Sequence, residues 1–210
     1  MRTYTLKYIS ELKTKRLELD GMWKKVFGEP GRSGKLWIFY GPEKNGKTWF
    51  SIMFADYLAK KEPVLYVSAE EGIEDSFLDV ITRAKVDITN RKFKVKGKGV
   101  SITELDDYLN KRYSPKIVFI DNVTVYVDQL KNGGLQTLLN NHQDKLFIFI
   151  AHEERGEPYT ATAKMIKRLA DRIVKIQGLV ATVNGRQGGE KFLIDESKAM
   201  ILYGSEIKDQ

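Results

Sequence analysis

The sequence has 210 residues, 42% hydrophobic and 30% charged, a length and balance that suit one α/β domain with a real core. It contains no cysteine, which excludes disulfides, thiolate metal sites and thiol nucleophiles and fits a reducing, cytoplasmic setting. Residues 1–10 lack a signal-peptide core and no apolar run is long enough to span a bilayer, while the net charge of +7 favours polyanionic partners, nucleic acid first and anionic membrane second.

Residues 1–35 read as a polar lead-in with a short helix within 4–19 and a turn-rich loop at 28–31. The apolar run 36–40 has strand composition and leads straight into 41–48. Over 49–60 apolar side chains occupy most of a helix circumference, and Pro63 stops that helix. A second strand, 64–68, opens onto Ala69, Glu70, Glu71 and Gly72. Residues 73–83 show helical periodicity, with Ile73, Phe77, Val80 and Ile81 on one side. The basic stretch 85–99 contains a short strand at 93–95, and Ser101 with Glu104 makes a capping-box pattern that opens a helix to Lys111.

The strand 117–121 ends in an acid, and Asn132, Gly133 and Gly134 break the chain before a helix at 135–141. A buried strand at 146–150 ends at Ala151 and His152, followed by a helix at 164–170 and a strand at 172–176. Two further strands, 179–183 and 191–194, are joined by a glycine-rich turn at 185–189, and a last strand is expected at 199–203. This order predicts an α/β fold with a mainly parallel central sheet, helices on both faces and antiparallel C-terminal strands. Residues 36–204 form the expected core, with 1–35 leading in and 205–210 as a tail.

Residues 41–48 fit G-x-x-x-x-G-K-[ST] between a strand and a helix, a pattern that arises by chance in roughly one chain in a hundred of this length. The chemistry follows from the residue types. Glycines let successive backbone N–H groups curl around phosphates, and the helix that begins near Lys47 adds the positive end of its dipole. Gly41, Pro42, Glu43, Lys44, Asn45, Gly46, Lys47, Thr48 and Trp49 are therefore the candidate nucleotide-binding residues. Lys47 is expected to reach the β and γ phosphates of ATP, and Thr48 to ligate Mg²⁺.

Phosphoryl transfer also needs a carboxylate near the metal, and Asp121 ends an apolar strand where such a group is wanted. The attacking water needs an orienting group or base, yet Asn122 and not a glutamate follows Asp121. Glu70, at the end of the second strand, is the candidate, with Glu71 as its rival.

With these residues the chain resembles the RecA-like ATPases, in particular the RadA, KaiC and hexameric replicative helicase branches. Four segments carry the resemblance: 37–48, 64–72 with its V-L-Y-V-S-A-E-E-G run, 117–121 and 147–152. The family places its catalytic glutamate after the second strand, which implies that role for Glu70. It places a γ-phosphate sensor after the fourth, which implies that role for His152. Residues 170–176 resemble the fifth core strand, and the turn 184–189 resembles one that helicase relatives insert into a neighbour's ATP site. Arg186 would then be an arginine finger acting in trans, although Asn184 stands where relatives carry a lysine.

The resemblance implies an ATPase acting on DNA, single-stranded by preference, in recombination, annealing or replication. It also implies further copies of the chain as partners, in a ring or filament, and no membrane. The loops from which the family contacts DNA, here 122–134 and 153–164, are not strongly basic. Lys85, Arg91, Lys92, Lys94, Lys96 and Lys98 make a denser patch. A KaiC-like regulatory ATPase without DNA, a small-molecule or nucleotide kinase, and a nucleotide-dependent structural subunit are the alternatives.

Overall fold

The computed structural model describes residues 3–11, 16–184 and 190–203. Two helices, α1 (Leu6–Glu11) and α2 (Gly21–Phe27), precede β1 (Lys35–Gly41), α3 (Lys47–Ala59), β2 (Val64–Ser68), α4 (Asp75–Ala84) and β3 (Phe93–Lys96). There follow α5 (Ile102–Leu109), β4 (Ile117–Asp121), a 3-10 turn (Val123–Tyr126), α6 (Val127–Leu130) and α7 (Gly134–Asn141). The chain continues through β5 (Leu146–Glu154), β6 (Glu157–Pro158), α8 (Ala161–Leu169), β7 (Arg172–Gln177), β8 (Val180–Asn184), β9 (Lys191–Leu193) and α9 (Glu196–Tyr203).

The strands lie in the order β3-β2-β4-β5-β1-β7-β8-β9, with β6 paired to β5. From β3 to β7 all pairs are parallel, and β7-β8 and β8-β9 are antiparallel. The apolar strands explain this arrangement. β2 is buried along its whole length, which only a sheet covered on both faces can satisfy. Alternate residues of β1 feed two cores: Trp37 and Phe39 face α2 and α3, while Leu36, Ile38 and Tyr40 face the side of α5, α7 and α8. Because β1 lies between β5 and β7, the loop that leaves its carboxyl end opens at the centre of the sheet.

Three sequence expectations need correction. Residues 199–203 are helical and not a strand: Asp195 starts the turn, its carbonyl accepting from Ala199 N at 2.8 Å and its Oδ1 from Lys198 N at 3.1 Å. Ile73 stands before α4 and is exposed, whereas Phe77, Val80 and Ile81 do pack on the core. The lead-in is more than polar: Val26 and Phe27 are fully buried, and Trp23 lies 4.8 Å from the Phe54 ring and 4.6 Å from the Phe192 ring. The Ser101–Glu104 capping box forms as expected.

Candidate functional site

Residues 41–46 join the end of β1 to the start of α3. Gly46 has φ 93°, and a Cβ there would come within 2.7 Å of Leu179 Cδ2. A Cβ on Gly41 would collide with the Ile176 carbonyl. Both glycines are thus required by the approach of the β7-β8 turn. That turn also grips the loop directly: Asn45 Oδ1 accepts from Gly178 N at 2.7 Å, and Asn45 Nδ2 donates to the Glu43 carbonyl at 2.7 Å. Lys47 is buried, and its ammonium donates to the Pro42 carbonyl at 2.6 Å. Burial pushes its pKa down, against the opposing pull of Asp121, Glu43 and Glu70.

Asp121 ends β4 in register with Ser68 of β2 and Ile150 of β5. Its Oδ2 accepts from Thr48 Oγ1 at 3.0 Å and from the Tyr66 hydroxyl at 2.6 Å. Burial raises the Asp121 pKa, while these two hydrogen bonds hold it down. Burial also keeps the Tyr66 phenol well above its ordinary value, so it remains a donor. The Thr48 and Asp121 oxygens suit a hard cation such as Mg²⁺, which takes few protein ligands and fills its sphere with phosphate and water oxygens. In keeping with that, no group of three or more His, Asp or Glu side chains suited to a metal occurs among the described residues.

Glu70 follows β2 with its side chain half exposed. Its Oε2 accepts from Asn122 Nδ2 at 2.8 Å and lies 3.1 Å from His152 Nε2. Asn122 is itself fixed, its Oδ1 accepting from Thr124 N and Thr124 Oγ1, each at 3.0 Å. Glu71 lines the same cleft without a hydrogen-bond partner among the described residues. Lys47, Thr48, Glu70, Asp121 and His152 therefore converge on one cleft of about 450 Å³.

Its outer wall is built by residues that motif reading missed. Ser76, Asp79, Val80 and Arg83 of α4 face it, and the Arg83 guanidinium lies 5.9 Å from the Trp49 ring. Their spacing of three to four residues is the signal that could have found them: one polar stripe on a helix next to the phosphate loop. Tyr66 and Asn122 were also missed as partners of Asp121 and Glu70.

No protein-family description and no curated protein matches the chain. Solved structures do match. The ATPase domain of a helicase aligns over 77% of this chain and 81% of its own, with a TM-score of 0.55 and 13% identity. The RadB recombinase aligns over 80% of this chain and 90% of its own, with a TM-score of 0.55 and 18% identity. The chain has the fold of the RecA-like P-loop ATPases.

Within this RecA-like fold, the two loops expected to face DNA are largely structured. After Asp121 the chain buries Val123, Tyr126 and Leu130 against one sheet face. After His152 it forms a hairpin whose two-residue turn, Arg155 and Gly156, has φ of 53° and 84°. Lys85, Arg91, Lys92, Lys94, Lys96 and Lys98 are all exposed around the edge strand β3, although Lys98 pairs with Glu74 at 2.6 Å. Arg186 lies outside the described residues. No helix among the described residues is long and apolar enough to cross a membrane.

Proposed function

We propose that the chain binds ATP with Mg²⁺ and hydrolyses it, acting on DNA as an oligomer in recombination, annealing or replication. The observation that carries this reading is the meeting of Thr48, Asp121 and Glu70 beside Lys47 at the mouth of the sheet. Residues 41–49 cradle the triphosphate with backbone N–H groups, and Lys47 donates to its terminal phosphates. Thr48 and Asp121 hold the metal, which when bound offsets the negative charge of the phosphates. Glu70 takes or orients the proton of the attacking water, with Asn122 and His152 keeping its carboxylate aimed into the cleft. His152, 3.1 Å from Glu70, is suitably placed to sense the γ phosphate as well.

The DNA and oligomer parts rest on three supports. The net charge is +7, the edge around β3 is lined with exposed lysines, and one structural neighbour is by name a recombinase. Arg186 is assigned as a finger in trans by the family resemblance alone. The test is the rate of phosphate release with and without single-stranded DNA, read beside a solution mass. Stimulation by DNA that fades steeply with salt supports the full reading. DNA-independent turnover shifts it to a regulatory ATPase of the KaiC type, and label appearing on a small acceptor shifts it to a kinase.

Lys47→Ala should abolish nucleotide binding or turnover, and Glu70→Gln should bind ATP yet hydrolyse it about 10²–10⁴-fold more slowly. A Glu70→Gln variant with normal turnover removes that residue from the chemistry. Mixed Lys47→Ala and Arg186→Ala subunits should regain part of the activity if the arginine serves a neighbour's site.

A further inference from the structure

A second cavity, of about 700 Å³, opens where β1 and β7 begin. It lies at the end of the sheet opposite the phosphate loop, separated from it by the seven residues of β1, roughly 20 Å of strand. Trp37 and Arg172 are register partners on these neighbouring strands, so their side chains leave the sheet on the same face. Both line the cavity. Arg172 is 7% exposed and Trp37 is 0% exposed, and Arg172 Nε and Trp37 Nε1 are buried donors without a hydrogen-bond partner.

The carboxylates nearby are engaged elsewhere. Asp171 accepts from Lys35 Nζ at 2.8 Å on Oδ1 and from Leu36 N at 3.1 Å on Oδ2. Glu29 lies 3.4 Å from Arg16 Nη1 and 2.9 Å from Lys24 Nζ. Arg172 spends one bond on its neighbour, from Nη1 to the Asp171 carbonyl at 3.0 Å. Arg168, exposed at the rim, has no ion pair among the described residues. The wall thus carries four cations against two carboxylates.

Indole and guanidinium nitrogens are donors only, so a buried pair of them is satisfied by an acceptor. An anion with several oxygens answers both donors at once and balances the charge, and a planar guanidinium matches phosphate geometry. The volume falls in the range of small-ligand pockets. We propose that this cavity binds a phosphate group, as a monoester or a diester, between Arg172 and Trp37 with Arg168 at its rim, apart from the nucleotide cleft.

The test follows the indole N–H signals of the full-length ¹⁵N-labelled chain. Its three tryptophans are assigned by substitution to Phe. One arm titrates inorganic phosphate, and the other a single-stranded oligonucleotide with a 5′ hydroxyl, which carries diesters only. A saturable shift of the Trp37 signal with phosphate assigns the site to monoesters, and a shift with the oligonucleotide assigns it to diesters. Arg168→Ala, a surface change, should weaken that shift about tenfold or more while leaving the Trp49 response to ATP unaltered. Arg172→Gln should remove it, with the Trp49 response reporting that the chain remains folded. If the Trp37 signal stays fixed with both probes, or titrates unchanged in the Arg168→Ala chain, the cavity is not a phosphate site. Trp49 lines the nucleotide cleft, so failure of the nucleotide reading would be seen separately.

Discussion

The Tyr66 hydroxyl donates to Asp121 across 2.6 Å, from a fully buried ring to the carboxylate that also accepts from Thr48. A core tyrosine therefore helps to set the charge state of the proposed metal ligand. Tyr66→Phe should destabilise the fold by about 1–3 kcal/mol, read by denaturant titration. Loss of this donor lets burial raise the Asp121 pKa further, so the acid limb of ATP turnover should move to higher pH. A variant whose pH profile coincides with that of the natural chain would refute the link.

Asp121 itself is expected to trade stability for function. Its folded pKa lies above the ordinary carboxyl value of 3.8, so the fold holds a proton there more tightly than the unfolded chain does. The resulting contribution to stability is full below that ordinary value and lost as the pH rises through the raised one. Asp121→Asn escapes this loss. At neutral pH its melting temperature should exceed that of the natural chain, with the gap narrowing on acidification, while turnover disappears. Thermal melts at several pH values decide the matter: an Asn variant that melts lower at pH 7 contradicts it.

Asn122 acts on Glu70 through a 2.8 Å hydrogen bond and is 1% exposed. As a positioning residue it should affect rate more than affinity. Asn122→Ala is expected to lower kcat about ten- to a hundredfold with little change in KM for ATP. Equal loss in both would mean that Asn122 only supports the fold.

Phe27 stacks on Trp37 at 5.0 Å and on Phe54 at 4.6 Å, tying the segment before β1 to the sheet. Phe27→Ala should destabilise the chain by about 3–5 kcal/mol through the void it leaves. The denaturant midpoint should fall with an unchanged slope if 17–27 folds together with the rest.

What could be read from the sequence was what is local. The strands 64–68 and 117–121 are continuous apolar runs, and the phosphate loop announces itself in eight adjacent residues. Pairings between strands left no such trace: Tyr66 meets Asp121 across 55 positions, and Asn122 meets Glu70 across 52. The five apolar residues 199–203 fit a strand or a helix equally by pattern, and the turn begun by Asp195 decided between them. α2 has only seven residues, two of them lysines, too short for its period to stand out until Val26 and Phe27 are seen in the core.

The bond from Gly178 to Asn45 has a mechanical side. The strand β8 begins two residues after Gly178 and runs to Asn184. A tug on that outer hairpin is thus delivered to the backbone curl around the proposed phosphates through one amide, with no slack segment between to absorb it.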